Sequence, residues 1–187
     1  MQIIEWRQFL ENGLPIAGLS VKKRTAMTIG VFDGVHRGHQ ALIERIVLHN
    51  ANYAPVVITF RENHKGGEKA GNILSFQEKV EIFGQLGVKI TLVIDFTESF
   101  RRMKGIEFLE ILVKHGNIGF FAVGKSFRCG YKLDTGAAAI RDFFASRNVQ
   151  VEIVDEVMEG LQPISSSRIR AAIADGDLKL AQAMLGR

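Results

Sequence analysis

Met27-Thr28-Ile29-Gly30-Val31-Phe32-Asp33-Gly34-Val35-His36-Arg37-Gly38-His39, continued by QALIERIVLHN over residues 40–50, is the stretch on which the fold turns. Met27 to Phe32 reads as a short strand rich in apolar and β-branched residues. Gln40 to Asn50 sets Leu42, Ile43, Ile46 and Val47 on one face at helical spacing. Between them lies a glycine-rich turn, so the local order is strand, loop, helix.

The same alternation continues outward. Pro55 to Phe60 is a second buried strand, and the polar, glycine-rich RENHKGGEKAGN over 61–72 reads as a mobile loop able to close over a substrate. Ser75 to Leu86 is a helix, with Ser75 as N-cap, Glu78 completing a capping box and Gly87 ending it. Val88 to Asp95 is a strand, Gly105 to His115 a helix with Gly116 just beyond, and Ile118 to Val123 a strand. Gly136 to Ser146 is helical, Val149 to Val157 a strand, and Ser166 to Ala174 opens a last helical region running towards Leu185. Regular alternation of this kind implies parallel strands joined by right-handed crossovers. The expected class is α/β, a Rossmann-like open parallel sheet with helices on both faces, taking its ligands beyond the carboxyl ends of the strands.

Composition sets the outer bounds. The 187 residues, 47% hydrophobic and 24% charged, suit a single globular domain spanning 1–187. No run approaches the roughly 18 apolar residues of a membrane span, and the start MQIIEWRQFLENG is too polar for a secretory signal, so a cytoplasmic protein without membrane partners is expected. One cysteine, Cys129, excludes an internal disulfide and any cysteine-cluster metal site, and is expected to be a buried or half-buried thiol. A net charge of +4 and a pI near 9.3 favour anionic partners, but the 24 basic residues are scattered rather than massed. That excess serves a nucleotide-handling enzyme or an RNA binder equally, and charge alone does not choose.

Two segments carry chemistry. In the first, His36 and His39 flank Gly38 at the mouth of a helix, where free N–H groups and the helix dipole attract anions. Gly34 and Gly38 allow the backbone to approach a phosphate, and the histidines add N–H donors and, when protonated, charge to offset that on a leaving pyrophosphate. Helix capping or a metal pair are the alternatives, although two histidines without a nearby carboxylate cluster make a thin zinc site. In the second, Ser165, Ser166 and Ser167 open a helix and Arg170 follows on the same face. Capping alone would explain the serines, but with the first segment they form the other jaw of a triphosphate clamp. Gly119 to Ser126, GFFAVGKS, fits the P-loop pattern formally. Its variable residues look like a strand, however, and no helical period follows, so the match is expected to be accidental.

With these residues in view, the chain resembles the FMN adenylyltransferase (FAD synthetase) module of bacterial bifunctional riboflavin kinase/FAD synthetases, within the HxGH nucleotidyltransferase superfamily. IGVFDGVHRGHQALI is similar to that family's first motif, ISSSRIR to its ISSTxxR element, and VGKSFRCG to an element usually read as G-x-D/N-F-x-F-G. The resemblance implies that His36, His39 and Arg170 are catalytic, and that Gly30, Phe32, Asp33, Gly34, Gly38, Gly124, Ser166 and Ser167 join them in binding ATP. It implies further that Phe60, Asn63, Ser126, Phe127 and Arg128 meet the flavin. Where the family tends to have TFxPHP, this chain has Thr59-Phe60-Arg61-Glu62-Asn63-His64, and Cys129 stands in place of an aromatic residue.

The implied reaction joins ATP and FMN into FAD and pyrophosphate, with Mg²⁺ accompanying ATP and no nucleic acid partner. No riboflavin kinase domain is expected within these residues. The runners-up are the same chemistry on another phosphorylated acceptor, such as nicotinamide mononucleotide or phosphopantetheine, and a non-catalytic nucleotide- or flavin-binding regulator.

Overall fold

A computed structural model describes residues 1–15, 24–61 and 71–187. Its centre is a six-stranded sheet built from β1 (Gln2–Glu5), β2 (Arg24–Ile29), β3 (Tyr53–Phe60), β4 (Ile90–Ile94), β5 (Ile118–Gly124) and β8 (Gln150–Val154). The strand order is β1-β4-β3-β2-β5-β8, and every pairing is parallel. From β2 the chain winds outward through β3 to β4, then crosses back to lay β5 on the other side of β2. A topological switch therefore falls between β2 and β5, where an open α/β sheet offers a crevice at its carboxyl edge.

Alternation along the strands sends side chains to two separate cores. Met27 and Ile29, Val56 and Ile58, and Phe121 and Val123 pack with Phe9 of α1 (Trp6–Asn12), Leu109 and Leu112 of α5 (Gly105–Gly116), and Ile140 and Phe144 of α6 (Ala137–Ala145). Ala26, Val57, Phe120 and Ala122 face the opposite way, towards Ile43 and Ile46 of α2 (Arg37–Leu48) and Phe83 of α3 (Phe76–Gln85). The expected Rossmann-like sheet, with helices on both faces, is the observed one.

Several boundaries move, for physical reasons. The strand expected over Met27–Phe32 is β2, which ends at Ile29. Gly30 still donates to the Ile58 carbonyl, but Phe32 turns into the left-handed region at φ 55° and its ring folds back into the core against Phe83. Helix α2 begins at Arg37 because His36 caps it: Nδ1 of His36 accepts the His39 backbone N–H. Ser75 and Glu78 form the expected capping box of α3.

The last helical region is two helices, α7 (Ser166–Ala174) and α8 (Leu178–Leu185), parted at Gly176, whose φ of 78° no helix can carry. They pack on each other through Ile169, Ala172, Ala181 and Met184, which form a third cluster. Strand β1, helix α1, the short helix α4 (Glu98–Arg102) and two small hairpins, β6–β7 (Arg128–Cys129 with Thr135–Gly136) and β9–β10 (Met158–Glu159 with Gln162–Pro163), have no counterpart among the expectations. Of the loop expected over 61–72, residues 62–70 lie outside the described ones. No helix among the described residues is long and apolar enough to cross a membrane.

Candidate active site

A cavity of about 520 Å³ opens at the carboxyl edge of the sheet. Its floor comes from the strand ends: Gly30 just past β2, Phe60 at the end of β3, Gly124 at the end of β5 and Val154 at the end of β8. Helices α2 and α7 point their N-termini into it, so two sets of unsatisfied N–H groups and two positive dipole ends converge on one space.

At the first of these N-termini the two histidine rings lie face to face, 3.6 Å between centroids and 19° from parallel. Gly38 permits this, since a Cβ there would sit 3.2 Å from the His36 ring. Because Nδ1 of His36 accepts a hydrogen bond, its proton sits on Nε2. Burial pulls His36 down to a pKa of about 4, with Asp33 opposing. Burial, His36 and Lys79 together hold His39 well below its ordinary value. Both rings are therefore neutral at pH 7, unlike the protonated donors the sequence invites one to imagine. Nδ1 of His39 is buried and has no hydrogen-bond partner among the described residues.

The second N-terminus is tied to the first. Ser165 caps α7 by accepting from the Arg168 N–H. Ser166 donates its hydroxyl to the Asp33 carbonyl at 2.9 Å. Arg170 meets the Asp33 carboxylate at 2.5 Å, and the other carboxylate oxygen accepts the Ile73 N–H at 2.9 Å. Asp33 thus joins three chain segments and aims Arg170, a role that lining a pocket does not convey. Ser167 lines the cavity beside them.

Away from these polar groups the cavity becomes aromatic. Phe60, Phe96, Phe100, Met103 and Phe108 line that arm. Phe60, Phe96 and Phe100 contact one another at centroid distances of 5.6–6.1 Å. Phe127, Arg128 and Cys129 border it from the β6–β7 hairpin, and Ser126 sits at the rim. The Cys129 thiol is half-buried and pushed up to about 12, chiefly by burial, so it stays protonated.

Of the residues singled out by sequence, His36, His39, Arg170, Gly30, Phe32, Asp33, Gly38, Gly124, Ser166, Ser167, Phe60, Ser126, Phe127 and Arg128 all border this one cavity. Gly34 does not: its φ is 80°, a Cβ on it would meet Ile73, and its carbonyl accepts from Arg187. Asn63, with Glu62 and His64, lies outside the described residues. Sequence reasoning missed Phe96, Phe100 and Phe108 of the aromatic arm, because isolated phenylalanines read as core until the sheet edge is placed. The P-loop look-alike is strand β5, as its apolar run implied. Gly119 is there because a Cβ would collide with the Tyr53 ring.

A family model described as FAD synthetase matches residues 19–168. The chain belongs to the FAD synthetase family. Among curated proteins it is 30% identical over 177 residues to a bifunctional riboflavin kinase/FMN adenylyltransferase of Buchnera aphidicola, covering 89% of this chain and 56% of that protein. Proteins of the same name from Escherichia coli K12 and Bacillus subtilis are 30% and 28% identical over 86% and 88% of the chain. The chain spans little more than half the length of these relatives, 53% and 54% for the last two.

Among solved structures, one described as a macrolide-efflux protein from Streptococcus pneumoniae superposes with a TM-score of 0.83 at 27% identity, over all of this chain and 60% of that one. A pantoate-beta-alanine ligase from Francisella tularensis reaches 0.63 at 13% identity over 96% of this chain and 77% of its own, a likeness of fold. FAD synthetase membership agrees with the resemblance carried by FDGVHRGH and ISSSRIR.

Proposed function

We propose that residues 1–187 form a single FMN adenylyltransferase domain, converting ATP and FMN to FAD and pyrophosphate. The observation that carries this is one cavity with two unlike arms. One arm has the N-termini of α2 and α7, with His36, His39, Ser167 and Arg170. The other is lined by the rings of Phe60, Phe96, Phe100 and Phe108. A triphosphate suits the first arm and an isoalloxazine the second.

In the reaction a phosphate oxygen of FMN attacks the α-phosphorus of ATP in line. A P–O bond forms there as the bond from the α-phosphorus to the bridging oxygen breaks, and pyrophosphate leaves with that electron pair. The attacking phosphate is already largely ionised near neutral pH, so no protein base is required. His36 and His39 act as neutral N–H donors that gain proton affinity as phosphate charge arrives, and they serve as neither nucleophile nor base. Arg170, aimed by Asp33, and the two helix N-termini stabilise charge passing to the leaving group. ATP enters as its magnesium complex. ATP as a substrate supports a cytoplasmic location.

His39→Ala is expected to lower FAD formation by about a hundredfold while the far-ultraviolet circular dichroism is unchanged. Near-wild-type turnover would remove the assignment. Mass spectrometry after incubation with MgATP and each of FMN, nicotinamide mononucleotide and phosphopantetheine tests the acceptor, and FAD should be the main product. Nucleotide binding without pyrophosphate release from any acceptor would instead mark a regulator.

A further inference from the structure

Among the described residues Lys79 is the one buried lysine, only 6% exposed in the middle of α3. Lysines are seldom so buried without a partner. Its ammonium donates to three oxygens: the Val31 carbonyl at 3.1 Å, the Thr59 hydroxyl at 3.2 Å and the Phe60 carbonyl at 2.9 Å. Val31 lies just past β2 and Phe60 ends β3, so the lysine bridges two neighbouring parallel strands where the chain leaves the sheet and its carbonyls lose ladder partners.

The turn that follows Val31 is held in unfavourable backbone. Phe32 at φ 55° and Val35 at φ 38° are both left-handed without being glycine. Thr59 also donates to the Val31 carbonyl, so that carbonyl is fixed by two donors immediately before the strained residues. The histidines and Asp33 are carried on this turn.

Hydrogen bonds alone do not require an ammonium. A neutral donor would avoid the desolvation that lowers Lys79 to about 8, which Asp33 partly opposes. Its charge, still largely present at pH 7, adds to the dipole ends of α2 and α7 and is one of the influences that keep His39 neutral.

We propose, on the adenylyl-transfer reading above, that Lys79 is a positioning residue: it holds the Val31 and Phe60 carbonyls that set the histidine-bearing turn, and supplies positive charge behind the histidine pair. It does not border the cavity, so it acts through the turn and through His39.

The test compares Lys79→Met, which removes charge and donors, with Lys79→Gln, which restores donors without charge. FAD formation from MgATP and FMN is measured per folded molecule, the folded fraction coming from thermal unfolding of the same samples. Lys79→Met is expected to lower kcat roughly a hundredfold with both KM values close to wild type, because displaced catalytic groups are felt at the transition state. Lys79→Gln should recover part of that loss. A purely structural lysine would lower the unfolding midpoint and leave kcat per folded molecule alone. Both variants within about twofold of wild-type kcat would overturn the proposal. If Lys79→Met does not fold, Lys79→Gln decides by the same criterion. A wild-type chain that makes neither FAD nor pyrophosphate overturns the adenylyl-transfer reading and this inference with it. An active wild type with active variants overturns the inference alone.

Discussion

His36 does three things with one ring. It caps α2 through Nδ1, leaves its Nε2 proton for a ligand, and stacks on His39. Capping and stacking need the neutral ring, and burial enforces it. The linkage has a definite sign. With a folded pKa of about 4, below the unfolded 6.5, the unfolded chain binds more protons between those values. The contribution is complete above pH 6.5 and is lost as pH falls towards 4, on the order of 3 kcal/mol. His39 adds to the same slope, since its shift has the same direction. Urea unfolding across pH 4–7 should therefore show a steeper acid loss in the wild type than in His36→Asn, which retains a good N-cap residue. Parallel pH profiles would mean that the ring is not held neutral by the fold.

Among the elements, α1 shows how a segment with no chemistry of its own can report on the site. Its Trp6, the chain's one tryptophan, lies 5.7 Å from both Phe100 and Phe108 by ring centroid, stacked on the second and edge-on to the first. Those two phenylalanines, from α4 and α5, wall the aromatic arm. A flavin bound against Phe100 and Phe108 would lie one ring away from Trp6. Titration with FMN should lower tryptophan emission saturably, after correction for absorbance, and ATP alone should not. An emission that falls only in proportion to flavin absorbance would remove the aromatic arm as the acceptor site. Sequence pattern gave no hint of this arrangement, because Glu98–Arg102 is a five-residue helix and its phenylalanine is indistinguishable from core until the sheet edge is placed.

At the scale of the whole molecule, the two jaws of the site come from opposite ends of the chain. Residues 33–39 and 165–170 are joined by the Asp33–Arg170 ion pair and by Ser166 on the Asp33 carbonyl, while Arg187, beyond α8, donates to the carbonyls of Gly34 and Val35. A ligand bridging both jaws binds only the native arrangement and must stabilise it globally. MgATP at a hundred times its dissociation constant should add about 2.7 kcal/mol and raise the thermal midpoint accordingly. A midpoint indifferent to MgATP would show that the native state does not hold the nucleotide.

FDGVHRGH and ISSSRIR carry their chemistry locally. A glycine turn entering a helix presents N–H groups and histidines whatever surrounds it, and serines before an apolar helical period cap that helix. The regular alternation of strand and helix likewise dictates a parallel sheet, because crossovers of that length leave no other arrangement. These features, with FAD synthetase membership, are legible in residue order alone. Tertiary structure decided the rest. Protonation of the histidines depends on burial by distant segments, the aim of Arg170 on a carboxylate 137 positions away, and the aromatic arm on helices brought to the sheet edge. The glycine-rich turn therefore presents N–H groups and histidines by its own sequence. Its strained backbone is flanked by carbonyls that accept from Lys79 and Arg187, and burial by the surrounding core keeps its histidines neutral.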